Sequence, residues 1–289
     1  MKYQFMMNNS KIFPVKKMAS VLKVSRSCYY AWANSKPSRH ELRDKEYLIE
    51  IKHIFKEKRG EYGSPRIYND MKDSGFTCSK KRVARIMHEN SIVARQKRKF
   101  KVTTDSSHDY PISPNLVNRN FSIESPNTCW VSDLTYIWTM EGWLYLCVIL
   151  DLFSRMAVGW SMASHMRAEL AISALEMAAA HRNPQSGLIF HSDRGVQYAS
   201  DSFRKSLQSY KMIQSMSRKG NCWDNACAES FFSTLKMEEV FHKKYKTKEE
   251  ARKAIFEYIA VFYNRQRSHS FLDFKSPAKY EELRIKKVA

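Results

Sequence analysis

CWVSDLTYIWTMEGWLYLCVILD, residues 129–151, is dense in aromatic and β-branched side chains and is broken once, at Met140-Glu141-Gly142. Such runs bounded by a short turn signal predict two antiparallel strands, Cys129–Thr139 and Trp143–Asp151. A third follows at Met156–Met162, so the stretch is read as a meander. An aspartate, Asp133, stands inside the first strand between Trp130-Val131 and Leu134. A carboxylate there is costly unless something compensates it.

Downstream, MRAELAISALEMAAAHR at 166–182 predicts a helix, ended by Asn183-Pro184. GLIFHSDRGVQYAS, residues 187–200, places a short apolar strand before a second carboxylate, Asp193, and a turn at Gly195. A helix over 201–210, a short strand near Met212–Gln214, a loop at SRKGNCWDN, and helices over about 225–240 and 248–264 complete the pattern. The order βββαβαβα predicts an α/β layer fold with helices flanking a mixed sheet.

Upstream the composition differs. Of the net charge of +20, residues 1–120 carry +15, from 26 basic and 11 acidic side chains, and residues 1–40 hold no acid. Arg95, Lys97, Arg98 and Lys99 head a run with five basic groups in seven residues. One-signed charge at this density repels itself unless a polyanion relieves it, and nucleic acid is the expected polyanion. Two segments read as helix-turn-helix units. In PVKKMASVLKVSRSCYYAWANS, 14–35, Ser25 is the expected cap of a second helix that presents Arg26 and Ser27 near its start. In the second unit, Ser64 caps a helix with Pro65 at its first position, and Ser79 caps the next. Residues 102–125, polar and proline-bearing, read as a linker. The N-terminus lacks the apolar core of a secretory signal, and the apolar run Leu144–Leu150 is far short of a membrane span. Six irregularly spaced cysteines without a Cys-x-x-Cys pair predict reduced thiols in a cytoplasmic protein. Half a zinc site at Cys222 and Cys227 would lack a second pair of ligands.

A third carboxylate, Glu229, lies in NACAESFFSTLK. At about 100° per residue, Ala228, Phe231 and Leu235 form a core face, and Glu229, Phe232, Ser233 and Lys236 share another, away from it. Taken alone, an acid and a base on one helix face describe an ordinary solvated surface. Three acids together would suit Mg²⁺, which prefers a few carboxylates plus water and phosphate oxygens, and two such ions stabilise both oxygens of an in-line phosphoryl displacement.

Asp133, then Asp193 after 59 intervening residues, Glu229 after 35 more, and Lys236 seven further on closely resemble the Asp-Asp-Glu signature of retroviral-integrase-like transposases. WVSDLTYI, HSDRGVQY, GNCWDNACAESFFSTLK and YNRQRSHSFLDFKSPAKYE together resemble the second reading frame (OrfB) of the insertion-sequence-three family of bacterial transposases. Trp223 stands where the family leads one to expect a tyrosine. The resemblance implies an RNase H-like catalytic core over 126–240, with a mixed five-stranded sheet and flanking helices. Ahead of it would lie all-α helix-turn-helix-like units at 1–40 and 41–101, and after it a helical extension at 241–289. It implies Asp133, Asp193 and Glu229 as catalytic metal ligands, for two Mg²⁺ ions with Mn²⁺ as substitute, and Lys236 as a contact to terminal DNA. Arg194, Gln197 and Tyr198 are placed beside the site as DNA contacts, with Arg26, Arg95, Lys97, Arg98 and Lys99 from the basic units. His191 and Asn225 are supporting residues, His191 either serving the site or simply packing. Asp224 either belongs to the site or caps the helix. The implied activity is 3′-end nicking and strand transfer at the ends of an insertion sequence, by a homo-oligomer on terminal repeats and target DNA. The product of the family's first reading frame (OrfA) is an expected partner or fusion, because the leucine zipper it usually supplies is missing here. Two other readings fit the same residues: a non-catalytic, domesticated DNA-binding protein, and a structure-specific nuclease on the same fold.

Overall fold

The computed structural model describes residues 1–94, 110–219 and 221–286. The basic run with Arg95, Lys97, Arg98 and Lys99 lies outside them. The chain opens with α1 (Lys2–Asn8), α2 (Val15–Val21) and α3 (Arg26–Ala33), three short helices around Met6, Met18, Ala19 and Tyr29. The sequence does not announce α1, because KYQFMMN is too short to show a period. It exists because Met6 completes a core too small for two helices. The break between α2 and α3 uses Lys23 at positive φ, and Ser25 stands at the α3 cap position with its hydroxyl turned to Ser27.

The second unit is α4 (Arg39–Glu57), α5 (Ser64–Asp73) and α6 (Lys80–Glu89) around Tyr47, Ile51, Ile67, Met71 and Val83. Ser38 and Glu41 close a reciprocal capping box on α4, and Ser79 accepts from the Arg82 amide at the start of α6. The α5 cap is Gly63, one residue earlier than expected; Ser64 is already helical, and no side chain caps that end.

The core sheet has the order β3-β2-β1-β4-β5. Its strands are β1 (Cys129–Thr139), β2 (Gly142–Asp151), β3 (Ala157–Ala163), β4 (Ile189–Ser192) and β5 (Ile213–Met216). β1, β2 and β3 pair antiparallel, as the meander predicts, while β4 and β5 run parallel to β1. This is the expected mixed five-stranded sheet. Alternation divides its side chains between two layers. Trp130, Cys147, Ile149 and Phe190 meet α7 (Ala168–Arg182), α8 (Val196–Ala199) and α9 (Asp201–Ser209). Val131, Leu146, Val148 and Leu150 meet α10 (Ala226–Leu235) and α11 (Lys248–Glu257). α12 (Pro277–Ile285) follows, tied to the core by Arg182, which bonds both Glu281 oxygens at 2.9 Å.

α7 rides directly on β3 because Gly159 has no side chain. A Cβ there would stand 2.4 Å from the Ala174 carbonyl oxygen. Gly159→Ala therefore forces helix and sheet apart, at a cost on the order of 3 kcal/mol. Thermal melting should fall well below wild type, and an unchanged melt would contradict this packing.

α10 and α11 both end in π-helical turns, Lys236–Val240 and Tyr258–Tyr263. The helical unit α4–α6 lies against these turns. Arg59 reaches Glu239 at 3.3 Å and Glu257 at 3.0 Å, Arg66 approaches Glu238 at 3.8 Å, and Lys275 pairs with Asp73 at 2.7 Å.

Candidate active site

Asp133 and Asp193 are brought together by strand register. β1 and β4 run parallel with Val131 opposite His191. Two residues on, the same alignment sets Asp133 opposite Asp193, where β4 has just ended and β1 continues paired to β2 on its other side. Adjacent strands are about 4.8 Å apart. Each aspartate is fixed by a local backbone donor: Asp133 Oδ1 accepts from the Leu134 amide at 2.8 Å, and Asp193 Oδ1 from the Gly195 amide at 2.9 Å. A Cβ on Gly195 would sit 3.0 Å from that same Oδ1, so the tight turn behind Asp193 favours glycine.

Glu229 comes from α10, whose start is pinned to β1 by Asn225 Nδ2 donating to the Ser132 carbonyl at 3.1 Å. Ala228, Phe231 and Leu235 are buried as predicted, but so is Phe232. The face with Glu229 and Lys236 therefore does not look away from the body; it turns toward the open end of β1. Burial, then Asp193, then Glu229 push the Asp133 carboxyl well above its usual range, against the Leu134 amide and Lys236. Glu229 is raised by burial and by Asp193. Burial lowers Lys236 while Asp133 pulls it back up, and its ammonium lies 5.1 Å over the Tyr136 ring. Three carboxyls thus share one field with one ammonium beside them.

Among the described residues no three His, Cys, Asp or Glu side chains converge tightly enough to enclose an ion unaided. The donors still suit a hard divalent cation. They are carboxylate oxygens whose mutual repulsion a cation relieves, and the buried Asn225 Oδ1 beside them has no partner.

His191 packs behind the site. Its Nδ1 meets Ser215 Oγ at 2.8 Å and its Nε2 the Asp224 carbonyl at 3.1 Å, so it joins β4 and β5 to the turn that leads into α10. Burial lowers it to about 4. The unfolded chain, with histidine near 6.5, binds the proton that the fold refuses, so stability falls as pH drops from about 6.5 toward 4. His191→Gln should flatten this part of the pH dependence of the urea midpoint; an unchanged slope would assign it to other groups.

Two expected DNA contacts are corrected. Tyr198 is fully buried, its hydroxyl 2.8 Å from Ser132 Oγ and its ring against Phe203, because α8 packs inward on the sheet. Gln197 is also interior and donates to the Met166 carbonyl at 2.8 Å. Arg194 is half-buried, with Nε donating to the Ser217 carbonyl at 2.7 Å. Arg26 is exposed on α3. Asp224 is not the α10 cap. It is buried and clasped by Arg218 at 2.8 and 2.9 Å, Arg119 at 3.1 Å and Asn115 at 3.0 Å. The Arg218 hydrogen bond foremost holds its carboxyl far below the carboxylate range. Sequence reasoning missed this clasp, since Arg119 lies 105 residues away with no pattern to link it. Cys227 contacts Arg155 through Sγ rather than a second thiol.

The mixed five-stranded sheet with flanking helices places the fold in the integrase-core class. The integrase core domain model matches residues 124–222, a second integrase core model 229–285, and an HTH-like domain 41–100. The chain belongs to the IS3 family of insertion-sequence transposases. It is 37% identical to the transposase InsF of insertion sequence IS3A from Escherichia coli, over 99% of this chain and all of that one. It is 43% identical to a 31 kDa protein of insertion element IS600 from Shigella sonnei, over 92% of this chain and 97% of that one. A simian T-cell lymphotropic virus intasome chain overlaps 80% of this chain and 74% of its own length at 16% identity, with a TM-score of 0.47.

Proposed function

We propose that this transposase is a metal-dependent DNA strand transferase whose reacting centre is Asp133, Asp193 and Glu229. The register that sets Asp133 beside Asp193, next to the helix bearing Glu229, is the observation that carries the reading. Water attacks a phosphodiester at the element's end; the P–O3′ bond breaks, and the element keeps a free 3′-hydroxyl. That hydroxyl then attacks a second phosphodiester, forming one P–O bond as another breaks, so no covalent protein intermediate is needed. Bound Mg²⁺, or Mn²⁺ in its place, in two ions held by the three carboxylates, would supply nucleophile activation and leaving-oxygen stabilisation. The protein contributes position and charge. Asn225 fixes the α10 start against β1, and Lys236 offers an ammonium to a phosphate of the terminal DNA. The basic units at 1–40 and 41–101, through Arg26 and the run Arg95, Lys97, Arg98 and Lys99, would hold the terminal repeats, with Arg194 nearer the core. Two ends must be held together, which favours a homo-oligomer on DNA, with the OrfA product as partner or fusion. Among the described residues no helix is long and apolar enough to cross a membrane. A cytoplasmic protein, at the nucleoid when DNA-bound, follows as part of the proposal.

Labelled DNA from the flanks of the gene, incubated with purified protein and Mg²⁺, is expected to yield nicked 3′-hydroxyl ends and joined strands, both abolished by EDTA. Cleavage of branched or hybrid substrates with no preference for element ends would replace this reading with a nuclease. Binding without chemistry, alone and when fused to OrfA, would leave a DNA-binding protein.

A further inference from the structure

Building on that reading, we infer that an exposed aromatic ladder on the β1–β2 hairpin is a stacking subsite for unpaired nucleotides of the DNA strand leaving the reacting centre. Tyr136 and Trp143 meet edge to face at 4.9 Å, and Trp143 meets Trp138 at 4.8 Å. Trp138 is 58% exposed and Trp143 43%, although sheet and helices would readily bury rings of this size elsewhere. Tyr136 and Trp138 alternate to the face of β1 opposite Asp133, and the ladder meets the site through Lys236, whose ammonium lies 5.1 Å over the Tyr136 ring. It ends at the hairpin tip, five residues beyond Asp133, or about 17 Å along the strand. That length matches roughly five nucleotides at helical rise, and fewer in a splayed strand.

Charge and register identify the occupant. Thr139 bridges Tyr245 in parallel, and both side chains are buried. On β1, alternation turns Trp138 away from the buried Thr139, and Lys244 and Lys246, both exposed, flank the bridge beside the hairpin tip. Aromatic faces flanked by ammonium groups suit single-stranded nucleic acid, where each base offers a π-face and each linkage a negative charge. A paired base in a duplex has its faces covered and cannot stack on these rings. A second copy of a chain with net charge +20 is a poor partner for a lysine-rimmed surface.

The test compares affinity of the full chain for a blunt duplex and for the same duplex with a short oligothymidylate extension. Wild type should prefer the extended DNA by about tenfold. Trp138→Ala with Trp143→Ala should remove the preference and leave blunt-duplex affinity unchanged; Trp138→Phe with Trp143→Phe should keep most of it, which separates stacking from misfolding. Glu229→Gln should keep it in full, so loss of chemistry and loss of stacking are read apart. No preference in wild type, or a preference that survives the alanine pair, overturns the inference. So does an alanine pair that only dissociates an oligomer in sedimentation, which would make the ladder a subunit contact.

Discussion

Glu229→Gln is expected to reduce metal-dependent nicking and joining by about three orders of magnitude, the effect of losing several kcal/mol of charge stabilisation in the transition state. Glutamine keeps the shape and removes the charge. Because Glu229 is raised by burial and by Asp193, the native carboxylate is repelled in the metal-free protein. Its neutralisation should therefore leave the melting temperature equal to or slightly above wild type, and DNA affinity unchanged or tighter. An inactive protein that is also unstable would point to a structural role for Glu229. An active one would remove it from the reacting centre. Melting curves, binding isotherms and single-turnover cleavage on one preparation distinguish these results.

Arg267→Ala should be the most destabilising of the charge substitutions. Its guanidinium donates to both Glu238 oxygens at 2.8 to 3.0 Å, and Tyr258 donates to the same carboxylate at 2.7 Å. Both partners are buried. Burial works against the charged guanidinium, but the Glu238 hydrogen bonds and charge hold it protonated. Removing Arg267 leaves Glu238 to Tyr258 and to Arg66 at 3.8 Å, and costs about 3 kcal/mol, the lower end for a broken buried pair. For a chain of this size that is a fall of about 10 °C in Tm. Replacing the pair together, Arg267→Met with Glu238→Leu, should recover most of the loss. Equal melts for single and double variants would show that Glu238 is not left uncompensated.

The β1–β2–β3 meander was legible because these strands, 11, 10 and 7 residues long, are rich in aromatic and β-branched side chains and separated by short turns. The proximity of Asp133 and Asp193 was legible only through the family resemblance, since the parallel β1–β4 register joins segments about 60 residues apart. GVQYAS gave no sign of its direction: Tyr198 and Gln197 are polar enough for a surface loop, yet their polar atoms find partners in Ser132 and Met166. The helix carrying Glu229 has a period but no outside, because Phe232 packs inward beside the acid. YNRQRSHS stood only as a family word until the fold supplied its contacts. Asn264 bonds both backbone groups of Ala157 on β3, and Arg267 holds Glu238.

Tyr62 accepts a hydrogen bond from the Ser268 amide, 206 residues later in the chain. Bacterial or eukaryotic, a ribosome adding 5–20 residues per second needs roughly 10 to 40 s to cover that interval. For most of this time α4–α6 is complete while Glu238, Glu239 and Ser268 have not all been made, so Arg59 and Arg66 lack their acidic partners and the Tyr62 hydroxyl its amide donor. A chain stopped before Ser268 never closes that surface. The order of synthesis thus sets a period in which the helical unit exists before the face it finally rests on.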